Sequence, residues 1–207
     1  MSVGPGSVFA VSAVLVAALE HAHRALARAG QRTRGLRGMG TALVLGCVVG
    51  NRLHTCHVGD VRAYVRSRSG FTQLTGDHSV VEAKVQAGLL TPEEARRHPD
   101  RNQLLQALGA SRQIIPEIHE RILEFGDLVL LCSDGLWASL SDAQILSIID
   151  DESPLEYRAG QLVAQANAMG GEDNITALLY QHVEVPRNRE ISAPCLAERN
   201  TPTLTRR

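Results

Sequence analysis

Neither sign of charge is in excess in this chain of 207 residues. Lysine and arginine together number 21 against 22 aspartates and glutamates, which gives a formal net charge of −1 at pH 7. Lysine itself is nearly absent, because Lys84 is the single one and arginine supplies the remaining positive charge. Nucleic acids and anionic membranes require a concentrated basic face on their partners. The balance therefore predicts that neither nucleic acid nor a membrane is the main partner.

Cysteine pairs of the C-x-x-C type are also missing. The sequence has four cysteines, and none of them lies in such a pair. A structural zinc site is therefore not expected. Cys47, Cys56 and Cys132 lie inside apolar runs, which is typical of reduced cysteines in a protein core. Reduced cysteines predict a cytoplasmic location.

Long apolar runs are absent as well. The longest, Val8 to Leu19, has no basic residues before it and no small-residue cleavage site after it, so a secretory signal is not predicted. The run is too short to cross a bilayer before Glu20, His21 and His23 interrupt it. It predicts a buried helix instead.

The order of helix and strand patterns indicates the α+β class. Residues 7–29 are rich in alanine, leucine and valine and predict one long helix, with Gly30 placed to end it. Apolar, β-branched runs separated by tight turns then predict antiparallel strands. The predicted strands are 41–49, 53–58, 63–65, 71–74, 128–132 and 175–183, and the further helices are 79–90, a short one from 91, 141–149 and 155–169. Strands near both ends, with helices before, between and after them, favour α+β.

Three aspartates share one local setting. Asp60, Asp134 and Asp173 each lie where an apolar strand meets a turn that contains glycine. Such a position can hold a carboxylate rigidly while leaving it open to solvent. Oxygen ligands suit Mg²⁺ or Mn²⁺, and a pair of such ions can activate a bridging water beside a phosphoryl group. Asp-Gly and Asp-Asn are also ordinary turn dipeptides, so spacing alone does not show that the three converge.

Four further motifs follow one another along the chain, namely 39–43 (MGTAL), 57–64 (HVGDVRAY), 131–137 (LCSDGLW) and 171–176 (GEDNIT). In this order they resemble the second half of the bacterial metal-dependent Ser/Thr protein phosphatases, the PPM or protein phosphatase 2C family. The resemblance covers about residues 8–183, and the segment between the second and third motifs looks like the flap of that family.

The resemblance implies a metal-dependent enzyme that acts on proteins. Asp134 and Asp173 correspond to ligands of the catalytic metal pair, Asp60 to the ligand of a third ion, and Asn102 to a flap contact with that ion. The implied cofactors are two or three Mn²⁺ or Mg²⁺ ions. A metal-activated water hydrolyses phosphoserine or phosphothreonine without a phosphoenzyme, so no catalytic residue separate from the metal ligands is expected.

The resemblance also implies the architecture and the partners. The expected fold is a sandwich of two antiparallel β-sheets flanked by helices, over a phosphatase-like domain of residues 1–184 with its flap at about 77–108. Residues 185–207 lack periodicity and predict a disordered tail. The implied partners are phosphorylated proteins, namely a Ser/Thr kinase or its substrates in cytoplasmic signalling.

One part of the family pattern is missing from the sequence. Members of the family begin with strands that lead into an Asp-Gly-Met-Gly-Gly motif, whose aspartate bridges the two catalytic metals, and the sequence contains no such motif. We therefore expect a fold without the first strands, truncated at the N-terminus relative to the family, with weakened metal affinity and doubtful activity. The alternative is a non-catalytic pseudophosphatase that acts as a binding or regulatory module.

A cysteine-dependent phosphatase is a further alternative. Cys56 and Arg62 have the C-x5-R spacing of a thiolate phosphate loop. Such a loop needs backbone amides curling around the phosphate and a helix N-terminus after it. Here the segment contains one glycine and continues into the predicted strand 63–65. The sequence therefore favours the metal-dependent mechanism.

Overall fold

The computed structural model describes residues 5–171 and 173–184, with side chains from residue 10. Residues 185–207, predicted to be a disordered tail, lie outside the described residues. The helices are α1 (Pro5–Arg32), α2 (Val80–Gln86), α3 (Pro92–Arg97), α4 (Asp134–Trp137), α5 (Asp142–Ile149) and α6 (Leu155–Ala168), with a 3-10 turn at Arg34–Leu36. The strands are β1 (Leu43–Val49), β2 (Arg52–Val58), β3 (Arg62–Ser67), β4 (Gly70–Gln73), β5 (Glu117–Ile122), β6 (Leu128–Cys132) and β7 (Ala177–Gln181).

The strands form two antiparallel sheets. One has the order β1-β2-β5 and the other has the order β4-β3-β6-β7. Leu53 of β2 packs with Val65 of β3 and Val129 of β6, so one apolar layer lies between the sheets. This arrangement confirms the predicted α+β sandwich.

Helix α1 covers the outer face of the β1-β2-β5 sheet. Leu19 is fully buried and packs with Cys56 and Val58, two alternate residues of β2. Burying a leucine side chain contributes roughly 1.5–3 kcal/mol. Leu19 is the one buried residue among the described side chains of α1, so the predicted burial holds only for the face of the helix that packs on β2. No helix among the described residues is both long and apolar enough to cross a membrane.

Helices α4, α5 and α6 cover the other sheet. Leu136, Ile145 and Leu162, one from each helix, are fully buried and pack with Tyr64 of β3 and its neighbours. Helix α5 begins at a reciprocal cap, in which the Ser141 side chain accepts from the backbone of Gln144 while the Gln144 side chain accepts from the backbone of Ser141. Each sheet is thus flanked by helices on its outer face.

The prediction that Gly30 ends the first helix is wrong. Helix α1 continues to Arg32, and Thr33 N still donates to Ala29 O at 3.0 Å. A Cβ atom at Gly30 would lie 2.9 Å from Leu36 O. Gly30 therefore allows the 3-10 turn to fold back closely against the helix and does not act as a cap.

Strand β5 was missed by the sequence analysis. Its residues, Glu117–Ile122, carry charged or polar side chains at four of six positions, and none of the six is buried. The strand pairs with β2 along six residues, at a sequence separation of about 65. Its extended conformation therefore comes from a long-range ladder, which local hydrophobic alternation did not reveal.

Candidate metal centre

The strand register brings the three aspartates to one end of the four-stranded sheet. Arg62 of β3 pairs with Cys132 of β6, and Cys132 pairs with Ala177 of β7. The first residue of β3, the last of β6 and the first of β7 therefore lie side by side. Since Asp60 precedes β3, Asp134 follows β6 and Asp173 precedes β7, all three lie at this end.

Short hydrogen bonds join the turns that carry Asp134 and Asp173. The Ser133 hydroxyl donates to Asn174 O at 3.0 Å and accepts from Thr176 N at 2.9 Å. A Cβ atom at Gly135 would lie 2.6 Å from Asn174 O. Glycine is thus required at this position, because the two turns approach at backbone contact.

The turn that carries Asp60 is attached to α4. Trp137 Nε1 donates to Asp60 O at 2.9 Å. Gly59 has φ of 102°, a conformation that favours glycine, and a Cβ atom there would clash with Ala42. The backbone around Asp60 is therefore held by close packing on one side and a hydrogen bond on the other.

The carboxylates of Asp60, Asp134 and Asp173, at this end of the four-stranded sheet, repel one another. Burial, and next the charge of Asp134, raise the pKa of Asp60 to about 6. Burial also raises the pKa of Asp134, and the charge of Asp173 adds to this shift. A divalent cation would relieve both effects, and the donors are all carboxylate oxygens, so the residues present fit Mn²⁺ or Mg²⁺.

The aspartates do not by themselves form a closed set of ligands. Among the described side chains, one group of three possible metal ligands has all its ligand atoms within 4.8 Å of one another. It consists of His57, Glu117 and His119 and includes none of the three aspartates. Asn102 lies exposed in the turn after Asp100. Its predicted contact with an ion held by Asp60 stays a prediction.

An ion pair beside the aspartates was missed by the sequence analysis. Arg62 donates to both carboxylate oxygens of Asp77, from Nε at 2.9 Å and from Nη2 at 2.7 Å. The Arg62 guanidinium also lies 3.6 Å from the ring centre of Trp137. Arg62 lies in the second motif and Asp77 at the start of the flap, but nothing in their local pattern indicated that they pair.

Cys56 and Arg62 do not form a phosphate loop. Cys56 is buried in β2 against α1, and burial raises the pKa of its thiol to about 11. Arg62 is engaged by Asp77 and Trp137. A thiol of this kind is neutral at pH 7 and cannot act as a nucleophile. Cys47, Cys56 and Cys132 are free thiols in the structure, while Cys195 lies outside the described residues.

The profile of the family described as "Protein phosphatase 2C" matches residues 6–168. The matched range includes the turns of Asp60 and Asp134 and ends before that of Asp173. This chain belongs to the protein phosphatase 2C family. The two-sheet architecture and the turn motifs above are therefore those of a known phosphatase fold.

Relatives in the protein phosphatase 2C family are bacterial phosphatases. Protein phosphatase PhpP of Streptococcus pneumoniae is 42% identical over 143 residues, which is 69% of this chain and 58% of PhpP. The structure of the serine/threonine phosphatase PstP/Ppp of Mycobacterium tuberculosis has a TM-score of 0.78 and 35% identity, and covers 84% of this chain and 73% of that chain. The chain thus spans less than two thirds of the length of the curated relatives it matches first.

One similar structure holds metal. It is the catalytic domain of the serine/threonine protein phosphatase PstP in complex with 2 manganese ions, with a TM-score of 0.71 and 34% identity, covering 78% of this chain and 67% of that chain. That similar protein therefore binds a divalent cation, a kind of ion that the carboxylate oxygens found here also suit.

Proposed function

We propose that this chain is the phosphatase portion of a protein Ser/Thr phosphatase that hydrolyses phosphoserine and phosphothreonine. The observation that carries the proposal is the meeting of Asp60, Asp134 and Asp173 at one end of the sheet, where burial and mutual repulsion favour a bound cation. Family membership supports the same reaction.

Asp134 and Asp173 would hold the catalytic ions, and Asp60 a further one. Bound Mn²⁺ or Mg²⁺ supplies an activated water and neutralises charge on the phosphoryl group. The chain itself supplies rigid carboxylates, because Ser133 ties the turns of Asp134 and Asp173 together and Trp137 holds the Asp60 backbone. Since burial raises the pKa of Cys56 and of Cys132, neither thiol serves as the nucleophile, and the proposed hydrolysis proceeds without a phosphoenzyme.

The flap, residues 77–108, would face the protein substrate. It begins at Asp77, which Arg62 binds, and it carries α2 and α3. We infer a single phosphatase domain over residues 1–184. Its partners are phosphorylated proteins, with a Ser/Thr kinase or its substrates as the finer proposal, in cytoplasmic signalling.

A binding module without catalysis is the second candidate. The observation that favours it is that the three aspartates do not close into one ligand set among the described side chains. A pseudophosphatase of this kind would bind phosphorylated proteins through the flap surface and would hold metal weakly.

The test is Mn²⁺-dependent hydrolysis of a phosphothreonine peptide by the purified, tag-free chain. We expect activity that EDTA removes and that Asp134→Asn lowers at least 100-fold, on the order expected for losing a metal ligand. Asp142→Asn is the matched control, because Asp142 is exposed at the start of α5, and it should keep its activity. A folded wild-type chain with no more activity than Asp134→Asn would overturn the phosphatase proposal and favour the binding module.

A further inference from the structure

A second group of metal-ligating side chains lies on the inner face of the β1-β2-β5 sheet. His57 pairs across the ladder with Glu117, and Thr55 pairs with His119. Alternate residues of a strand share a face, so His57, Glu117 and His119 point the same way as Leu53, which packs between the two sheets. The opposite face of β2 is the one that packs on α1.

The ligand atoms of this group already converge. One ring nitrogen of His57, one of His119 and one carboxylate oxygen of Glu117 lie within 4.8 Å of one another. Glu117 is central, with Oε1 at 3.1 Å from His119 Nε2 and Oε2 at 3.8 Å from the His57 ring at Nε2. Because the Gly76 carbonyl oxygen lies 2.8 Å from Nε2 of His57, Nδ1 is the nitrogen of that ring left to bind an ion.

Two ring nitrogens of the group are buried without hydrogen-bond partners. The His57 side chain is fully buried, its Nε2 lies 2.8 Å from the carbonyl oxygen of Gly76, and its Nδ1 has no partner. His119 Nε2 is buried too, and its contact with Glu117 lacks hydrogen-bond geometry. A buried polar atom without a partner costs about 1–3 kcal/mol, so these nitrogens require an explanation. A metal ion would satisfy them.

The Gly76 carbonyl determines which nitrogen of His57 can bind metal. Nε2 lies 2.8 Å from that oxygen and donates its N–H there, so the free lone pair of the ring is on Nδ1. A histidine that ligates a metal through one nitrogen commonly donates from the other in this way.

We propose that His57, Glu117 and His119 form a transition-metal site, with Zn²⁺ as the best match, separate from the aspartate cluster. Two imidazole nitrogens and one carboxylate oxygen suit Zn²⁺, whereas Mn²⁺ and Mg²⁺ prefer all-oxygen donors such as the aspartates. Such a site would need no C-x-x-C pair, which is the pattern on which the sequence analysis based its expectation of no structural zinc. It ties β2 to β5 between the sheets.

His78 connects this site to the flap. Its Nδ1 accepts from Gly59 N at 3.2 Å, which leaves Nε2 to carry the proton toward Glu117 Oε2 at 3.4 Å. Its ring stacks on His57 with centroids 4.6 Å apart. His78 is therefore a positioning residue that orients Glu117. Because it also binds the backbone beside Asp60, an ion at this site stabilises the start of the flap and the turn that carries Asp60.

Metal ions can reach the group from solvent. A cavity of about 210 Å³ is lined by Gly76, His78, Gln106 and Glu117, among others. The Glu117 side chain is 41% exposed and that of His119 is 27% exposed, whereas His57 forms the closed end of the site. An ion would therefore meet Glu117 and His119 before His57.

The experiment uses Zn²⁺ and Co²⁺ alone with the tag-free chain. We expect one tightly bound Zn²⁺ per chain by mass spectrometry of the metal content, a visible Co²⁺ absorption band that Zn²⁺ displaces, and a higher melting temperature with Zn²⁺. His119→Gln and Glu117→Gln should each weaken Zn²⁺ binding at least tenfold. Two controls should bind Zn²⁺ normally: His21→Gln, an exposed histidine of α1, and Asp134→Asn, which alters only the aspartate cluster.

X-ray absorption of the Zn²⁺-loaded wild-type chain provides a measurement that does not depend on any variant folding. It should show two imidazole ligands and one carboxylate at the zinc. Unchanged Zn²⁺ stoichiometry and Co²⁺ absorption in folded His119→Gln, or zinc held by oxygen ligands alone, would overturn the proposal. Neither result bears on phosphatase activity, because Asp134→Asn separates the two sites.

Discussion

Arg62 and Asp77 form a bidentate ion pair, with Arg62 Nε 2.9 Å from Asp77 Oδ1 and Arg62 Nη2 2.7 Å from Asp77 Oδ2. Their side chains are 13% and 6% exposed, so the pair is almost fully withdrawn from water. Because Arg62 begins β3, Asp77 begins the flap and Trp137 lies against the guanidinium, the pair joins the sheet, the flap and α4.

Removing Arg62 should destabilise the fold strongly. Arg62→Ala leaves the Asp77 carboxylate buried without its partner, which costs about 3 kcal/mol. Urea unfolding of Arg62→Ala, Asp77→Ala and the double variant measures this. We expect the free energy of unfolding of the double variant to fall by about 1 kcal/mol less than the sum of the decreases in the two single variants. Strict additivity would contradict a specific pairing of the two side chains.

Gly135 should not tolerate a methyl group. Gly135→Ala forces Cβ against the backbone oxygen of Asn174. We expect the free energy of unfolding to fall by about 2 kcal/mol and Mn²⁺ binding to weaken. Gly160→Ala is the matched control, because Gly160 lies in α6 with no atom within 4 Å of an added Cβ. That substitution should stabilise the chain by about 0.5 kcal/mol. Equal effects in the two variants would refute the close approach of the turns.

Neutralising Asp60 should stabilise the metal-free chain. Asp60→Asn removes a partly buried negative charge next to Asp134, and we expect a gain of about 1 kcal/mol at pH 7 after allowing for screening by water. Adding Mn²⁺ should then raise the melting temperature of wild type more than that of Asp60→Asn. Calorimetry with and without Mn²⁺ measures both, and a lower metal-free stability of the variant would argue against repulsion at this end.

The buried cysteines should be unreactive in the native chain. Burial raises the pKa of Cys56 to about 11 and that of Cys132 to about 12, so neither forms thiolate at pH 8, and both lie out of reach of reagents. Iodoacetamide followed by peptide mass spectrometry should label both only after unfolding in urea. Cys56→Ala should keep any Mn²⁺-dependent activity. Loss of that activity in a folded Cys56→Ala chain would support a thiolate mechanism instead.

Much of the fold could be predicted from local pattern. The long first helix, the paired strands around Gly50-Asn51 and the capped helix at Thr91-Pro92 follow from propensity, turn chemistry and capping, which act between residues close in the chain. Gly30 was misinterpreted because the same residue type serves both as a helix cap and where backbones approach closely. Only the position of the 3-10 turn distinguishes these roles.

The sequence by itself determined the family, the α+β class and the turns on which Asp60, Asp134 and Asp173 lie, because each depends on short motifs. The tertiary structure decided which side chains meet. Register between β2 and β5 brings His57 to Glu117 and His119, and the packing of the flap base on β3 pairs Asp77 with Arg62. These contacts join residues 15 to about 60 positions apart, and no local periodicity encodes a register of that range.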